Sequence, residues 1–358
     1  MSVAIVHDYL TQRGGAERVV LSMMKAFPDA PVHTSLFHPE GTFPEFGTAN
    51  VRMSHLDRFG VLRRNHRLAI PLLAPAFSTR RVDADVVLCS SSGWAHGVRT
   101  TGRKIVYCYS PARWLYQGDR YLGAGRSLQK GALAVMRPPL LRWDRRQALS
   151  ANRYVTLSSV VRDRIRDAYG IDAEVLPPPH TVDPDGPARA RVDVDAGFFL
   201  CIARLLPYKN VDAVIAAFGE LPGERLVVVG TGPEGDRLAR SAGGNVAMLG
   251  MVTDDELRWL YRSCAAVVSA SHEDYGLTPV EAAAFGKPAA VLRDGGFLDT
   301  VVEDRTGVYF DRPEPHDIAG AVRRILAGTW PAGALKAHAA RFDEAHFIRR
   351  LREVVSEG

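Results

Sequence analysis

Residues 177–203 read PPPHTVDPDGPARARVDVDAGFFLCIA. Three consecutive prolines, followed by a polar run with two more at Pro184 and Pro187, deny both helix and strand. An apolar, strand-like run then begins at Phe198. The stretch closes one structural series and opens another. It divides a chain of 358 residues into two parts of ordinary domain size.

Working outward, both series alternate β with α. Before the prolines, residues 2–7 form a short buried strand. Ala16, Val19, Val20, Met23, Met24 and Phe27 then repeat at helical spacing. Strand-like runs recur at 85–89, 104–109 and 153–157. After the prolines, strands are expected at 198–203, 225–230, 246–252, 265–269 and 288–292, with helices at 211–218, 255–262 and 279–285. This predicts an α/β fold of two doubly wound parallel sheets covered on both faces. The expected domains are 1–180 and 188–336, followed by a basic amphipathic helix at about 337–356.

Composition is that of a soluble globular protein, 46% hydrophobic and 24% charged. The N-terminus has no basic region before its first apolar run and no long apolar core, so no signal peptide is expected. No apolar run reaches the roughly 18–20 residues of a membrane span. Cys89, Cys108, Cys201 and Cys264 lie far apart in apolar surroundings and read as reduced core residues of a cytoplasmic protein. Residues 1–185 carry 25 Lys+Arg against 16 Asp+Glu (+9), and the remainder 20 against 24 (−4). The first half is therefore basic.

The sharpest motif is Ser271-His272-Glu273-Asp274-Tyr275-Gly276-Leu277-Thr278-Pro279-Val280-Glu281. Thr278 reads as an N-cap and Pro279 as the first helical residue, which puts Glu281 at the third helical position. Thr278 and Glu281 would then form a capping box. Glu273 lies in the loop ahead, where Gly276 permits close backbone approach to a ligand. Loop amides at a helix start suit a phosphate, and carboxylates suit sugar and ribose hydroxyls. After the strand at 198–203 come Arg204 and Lys209, two cations placed to neutralise a diphosphate or plain solvated charges. Gly14-Gly15 opens the first helix and allows approach of an anion, or is an ordinary turn. His96, in a Gly/Ser loop after the strand at 85–89, suits a sugar hydroxyl or a phosphate, or serves the core.

Gly230-Thr231-Gly232-Pro233-Glu234-Gly235 matches a dinucleotide fingerprint, which would suggest a nucleotide-dependent oxidoreductase. The next strand lacks the acidic end residue that reading requires. Asp83-Ala84-Asp85 and Asp193-Val194-Asp195 precede strands and read as surface turns, and the histidines show no ligand spacing, so no metal site is expected. Residues 58–81 hold Arg58, Arg63, Arg64, Arg67, Arg80 and Arg81 and no acid, interleaved with Leu62, Leu68, Ile70, Leu72, Leu73 and Phe77. A similar stretch runs from 126 to 146. Such patches suit an anionic membrane surface. No nucleic-acid motif or aromatic platform accompanies them, so no nucleic acid is expected.

The chain resembles the retaining glycosyltransferases of family 4, over nearly its whole length. Glu273 and Glu281 match that family's E-x7-E motif, 203–210 its Arg…Lys phosphate segment, Gly14-Gly15-Ala16-Glu17 its glycine loop, and His96 its acceptor-side histidine. The resemblance implies the GT-B fold, two Rossmann-like domains facing a central cleft, with the C-terminal helix (about 337–358) packed back on the first. It implies a catalytic set of Glu273, Arg204, Lys209 and His96. Donor contacts are implied at Gly14, Gly15, Gly230, Gly232, Met251, Val252, Gly276, Leu277, Thr278 and Glu281, and acceptor contacts at Tyr109, Ser110 and Arg113. Ile5-Val6-His7-Asp8-Tyr9-Leu10 and Tyr107-Cys108-Tyr109-Ser110-Pro111-Ala112-Arg113 look like the mannosyltransferases of bacterial surface polysaccharide synthesis, which show His-Thr where this chain has Tyr109-Ser110. The implied donor is GDP-mannose, with a UDP-, GDP- or dTDP-linked deoxysugar as the alternative. No cofactor or metal is implied. The expected acceptor is a glycan or lipid-linked glycan, and the basic first half suggests the inner face of the cell membrane as its place.

Overall fold

The computed structural model describes residues 1–116, 127–180, 182–191 and 193–357, with the backbone alone at 114 and 127–135. The chain forms two compact units, Met1–Pro179 with Glu344–Gly358, and His180–Asp343.

The first unit carries seven strands: β1 (Val3–His7), β2 (Val32–Thr34), β3 (Val51–Met53), β4 (Val86–Ser91), β5 (Arg103–Cys108), β6 (Arg153–Thr156) and β7 (Glu174–Val175). They pair in the order β3-β2-β1-β4-β5-β6-β7, and every pairing is parallel. The second unit carries β8 (Phe199–Ile202), β9 (Leu226–Val229), β10 (Val246–Gly250), β11 (Ala266–Ser269), β12 (Ala289–Leu292) and β13 (Gly307–Phe310). Their order is β10-β9-β8-β11-β12-β13, again all parallel. Both orders are those of doubly wound sheets. A strand buried on both faces has no polar face to alternate with, which is why β9 reads Leu-Val-Val-Val. All four of its residues are buried.

The single helix expected at about 337–356 is two. One helix covers Ala332–Ala339 and ends in a 3-10 turn, Ala340–Phe342. A second covers Glu344–Ser356. The chain changes unit at the break, so 332–343 stay with the second unit. Helix Glu344–Ser356 packs on Gly15–Ala26 within the first unit. Its Phe347 is fully buried and lies edge-on to Tyr107 at 5.9 Å. Glu344 accepts from Ser22 Oγ and Lys25 Nζ, both at 2.7 Å, and Arg352 Nε donates to Ala26 O at 2.9 Å. The four cysteines are buried and unbridged.

Candidate active site

In the second unit the strand order reverses between β8 and β11, so the loops leaving their carboxyl ends part at a switch point. After β8 the chain makes one 3-10 turn, Pro207–Lys209, and enters helix Val211–Gly219. Asn210 joins the two with φ 50° and ψ 35°, a left-handed conformation that asparagine tolerates better than most residues. Its Nδ2 donates to Ala270 O at 2.8 Å, just beyond β11. That bond ties the loop carrying Lys209 to the loop carrying Glu273.

The tie brings the two charges into contact. Lys209 Nζ bonds Glu273 Oε1, and the same oxygen accepts from Ser271 Oγ at 2.8 Å. Ser269 Oγ stands 2.9 Å behind Ser271 Oγ. Both serines are buried, so the carboxylate is braced from within the domain. Lys209 Nζ also lies 4.9 Å from the ring centre of Tyr208. Arg204 is exposed and has no side-chain partner among the described residues. The backbone of the Glu273 loop is held as well, since Gly296 N donates to Glu273 O at 2.9 Å. A Cβ on Gly295 would stand 2.1 Å from that same carbonyl, so only glycine fits there.

The expected capping box is absent. The helix after Glu273 covers Leu277–Ala284, its N-cap is Gly276 at φ 87°, and no side chain caps it. Thr278 is thus the second helical residue and Glu281 the fifth, too far along for reciprocal capping. A left-handed glycine starts the helix earlier than the Thr-Pro signal implied. Glu281 is engaged from another element: Tyr261, on helix Asp254–Ser263, donates its OH to Glu281 Oε2 at 2.6 Å. Nothing in the sequence singled Tyr261 out, because an aromatic residue at helical spacing reads as core.

Gly230 and Gly232 face protein backbone. A Cβ on Gly230 would lie 1.9 Å from Ala203 O, and one on Gly232 2.3 Å from Leu205 O. These glycines let the loop after β9 close against the loop carrying Arg204. Met251, after β10, is exposed, and Val252 is half-buried. The acidic triplets have structural partners. Asp85 accepts from Ser2 N at 2.6 Å, Asp193 from Arg191 Nη2 at 2.7 Å, and Asp195 from Arg225 Nη1 at 2.7 Å.

In the first unit the switch point lies between β1 and β4. Asp8, just past β1, is buried and accepts from the backbone of Ser92 at 2.6 Å and Ala95 at 2.6 Å. It thereby folds the loop carrying His96. His7 is also buried. Its Nδ1 meets Ser90 Oγ at 2.9 Å, and its Nε2 stands 3.8 Å from Glu17 Oε1. Burial lowers the His7 pKa, but the Glu17 carboxylate, Asp8 and the Ser90 carbonyl together outweigh it and the net shift is upward. Tyr109 OH joins this cluster, 2.9 Å from Ser90 Oγ and 3.1 Å from Ala16 O. Gly14 sits over it: a Cβ there would stand 2.6 Å from Glu17 Oε2. Gly15 is the first residue of the helix. Ser110 is buried and Arg113 half-buried.

His96 is held inside the first unit. It is 2% exposed, its Nδ1 meets Ser91 Oγ at 3.0 Å, and its Nε2 faces Asp144 Oδ1 at 3.1 Å without hydrogen-bond alignment. Trp143 packs on the ring at 5.6 Å. Asp144 accepts in turn from Tyr116 and Tyr169, each at 2.8 Å. The imidazole is aimed into the domain, so the surroundings favour the core reading over a sugar contact.

The comparisons with known proteins agree with this architecture. The family described as Glycosyltransferase Family 4 matches residues 13–185, and that described as Glycosyl transferases group 1 matches residues 187–344. A D-inositol 3-phosphate glycosyltransferase of Acidothermus cellulolyticus is 31% identical over 226 residues, 54% of this chain and 50% of that protein. A GDP-mannose-dependent alpha-(1-6)-phosphatidylinositol monomannoside mannosyltransferase of Mycolicibacterium smegmatis is 31% identical over 219 residues, 53% of this chain and 57% of that one. The aligned stretch thus spans about half the length of these relatives. The crystal structure of Anabaena HepE in complex with UDP superposes with a TM-score of 0.73 at 17% identity, covering 99% of this chain and 100% of that one. With the two family matches together taking in nearly all of it, the chain belongs to the family 4 glycosyltransferases of GT-B fold.

Proposed function

We propose that this protein is a retaining transferase that moves mannose from GDP-mannose onto a glycan or lipid-linked glycan. The observation that carries the reading is the meeting of Lys209 and Glu273 beside exposed Arg204 at the switch point of the second unit. In this proposal Arg204 and Lys209 stabilise charge on the departing diphosphate. Glu273 accepts from the donor sugar's far hydroxyls, and Glu281 holds the ribose hydroxyls. Backbone at Gly230, Gly232, Met251, Val252, Gly276, Leu277 and Thr278 lines the donor. On the first unit, taken by itself, Gly14 and Gly15 suit an anion, and Tyr109, Ser110 and Arg113 suit the acceptor. His96 acts indirectly, by holding its loop.

No side chain stands out as a covalent nucleophile. The acceptor oxygen bonds the anomeric carbon on the face from which the diphosphate leaves. The carbon–oxygen bond to phosphate breaks, and the acceptor's proton passes to the departing phosphate. This chemistry draws on no cofactor or metal, so a chelator leaves the rate unchanged. Mannose is favoured by the Mycolicibacterium relative, named for GDP-mannose. Anabaena HepE was crystallised with UDP, which keeps a UDP-sugar as the second reading. Thermal-shift titration with GDP, UDP and dTDP separates the two, and stabilisation by none of them contradicts both. The anomeric configuration of the product, read by NMR, tests retention.

The proposed setting is the cytoplasmic face of the membrane. Among the described residues no helix is long and apolar enough to cross a bilayer. In the first unit Phe59, Val61, Leu68 and Leu72 are exposed beside Arg58, Arg64 and Arg67. The second basic stretch, whose residue 126 lies outside the described residues, reaches helix Ile70–Ser78 through Trp143 Nε1, which donates to Ser78 Oγ at 2.7 Å. Its Arg142, Arg145 and Arg146 line a surface hollow. Exposed cations interleaved with apolar side chains suit an anionic lipid surface.

A further inference from the structure

Tyr261 is fully buried, yet its hydroxyl reaches the site. Helix Asp254–Ser263 that carries it is fixed at its start by a capping box between Thr253 and Glu256, so its last turn is set in place. The phenol ring stacks on Phe285 at 5.2 Å and 12°. Phe285 ends the helix on which Glu281 sits. The ring is therefore clamped against the same helix whose carboxylate its hydroxyl bonds. Burial, then the Glu281 charge, hold the phenol pKa well above its ordinary value, so it stays a donor.

A carboxylate grips a pair of neighbouring hydroxyls only when its plane is fixed; a freely rotating one loses the second bond. Lys and Arg, the usual clamps for a glutamate, would carry charge into the pocket. A neutral buried phenol pins one oxygen and brings no charge of its own. We propose that Tyr261 is the positioning residue of the nucleoside subsite: by holding Glu281 Oε2 it sets the carboxylate to recognise a ribose bearing both hydroxyls. This rests on the reading of Glu281 as the ribose contact.

The test compares GDP with 2′-deoxy-GDP, and UDP with 2′-deoxy-UDP, on the wild type, Tyr261→Phe and Glu281→Gln, by calorimetric titration. The wild type is expected to prefer the ribonucleotide. Tyr261→Phe is expected to lose that preference by about tenfold, the size of one hydrogen bond to a charged group. Its kcat stays near wild type while the donor KM rises, which a merely structural loss does not produce. The preference is a ratio taken on one sample, so it is insensitive to the fraction that folds. If Glu281→Gln loses the preference and Tyr261→Phe keeps it, the positioning role is overturned while the ribose reading stands. If neither variant changes it, or the wild type shows no preference, the ribose reading itself falls and Tyr261's role with it.

Discussion

Lys209 and Glu273 lie 64 residues apart in sequence and are ion-paired at the carboxyl ends of β8 and β11. The pair keeps two groups that are assigned to different parts of one ligand, phosphate and sugar, in mutual contact. An incoming diphosphate competes with Glu273 for the ammonium. The competition predicts opposite effects of two substitutions.

Lys209→Ala removes a cation from developing negative charge. Such losses cost about a hundredfold to a thousandfold in kcat, and steady-state release of nucleoside diphosphate measures it. Glu273→Gln frees Lys209 from its counter-ion. Binding of GDP or UDP alone is expected to hold or strengthen, while sugar transfer falls by at least about tenfold for a lost hydrogen bond to a charged group. Weaker binding of the bare nucleotide by Glu273→Gln contradicts the competition.

Gly276 is the strained start of the Glu281 helix. Its φ is 87°, and a Cβ would stand 2.4 Å from Phe297 Cδ1. Gly276→Ala is expected to destabilise the second unit by about 1–3 kcal/mol. Thermal melting is expected to shift down by several degrees. An unchanged melting temperature argues against this backbone geometry.

His33 supplies a pH dependence remote from the site. Arg80 Nη2 donates to its Nδ1 at 3.1 Å, which requires a neutral imidazole. Burial, then Arg80 and Arg52, lower its pKa from 6.5 to about 4. A depressed histidine contributes stability that is present above the unfolded value and lost as pH falls through 6.5 toward about 4. With solvent screening of the two arginines discounted, the loss amounts to about 2–3 kcal/mol. Denaturant melts between pH 7 and pH 4 are expected to show it in the wild type and to flatten in His33→Gln. Equal slopes in the two proteins refute the assignment.

The basic face of the first unit makes a separate prediction. Each arginine at an anionic surface contributes about 1 kcal/mol. Replacing Arg58, Arg64 and Arg67 together by Gln is expected to weaken binding to phosphatidylserine vesicles by about a hundredfold, with no change toward neutral vesicles. Sedimentation with the two lipid compositions reads it. Retention of full affinity removes the face from the proposal.

The long central strands were legible because burial on both faces demands uninterrupted apolar runs, as at β4 and β8. Strands β2 and β3 were not, since three residues such as Val32-His33-Thr34 carry no period. The spacing of Glu273 and Glu281 marked one loop and the helix after it. Lys209 was named beside them, but its contact with Glu273 and the part of Tyr261 were hidden, because both come from other elements through contacts that no local pattern encodes. The burial of His96 was not legible either, because its Gly/Ser loop carries no sign of Asp144, 48 residues on, whose Oδ1 stands 3.1 Å from the ring Nε2.

Calorimetric titration of the wild type and Lys209→Ala with GDP, UDP and dTDP tests whether Lys209 holds the donor's diphosphate. One nucleotide is expected to bind the wild type clearly better than the others, and Lys209→Ala to lose at least about tenfold of that affinity. Binding of none of the three, or equal affinity in both proteins, would contradict it.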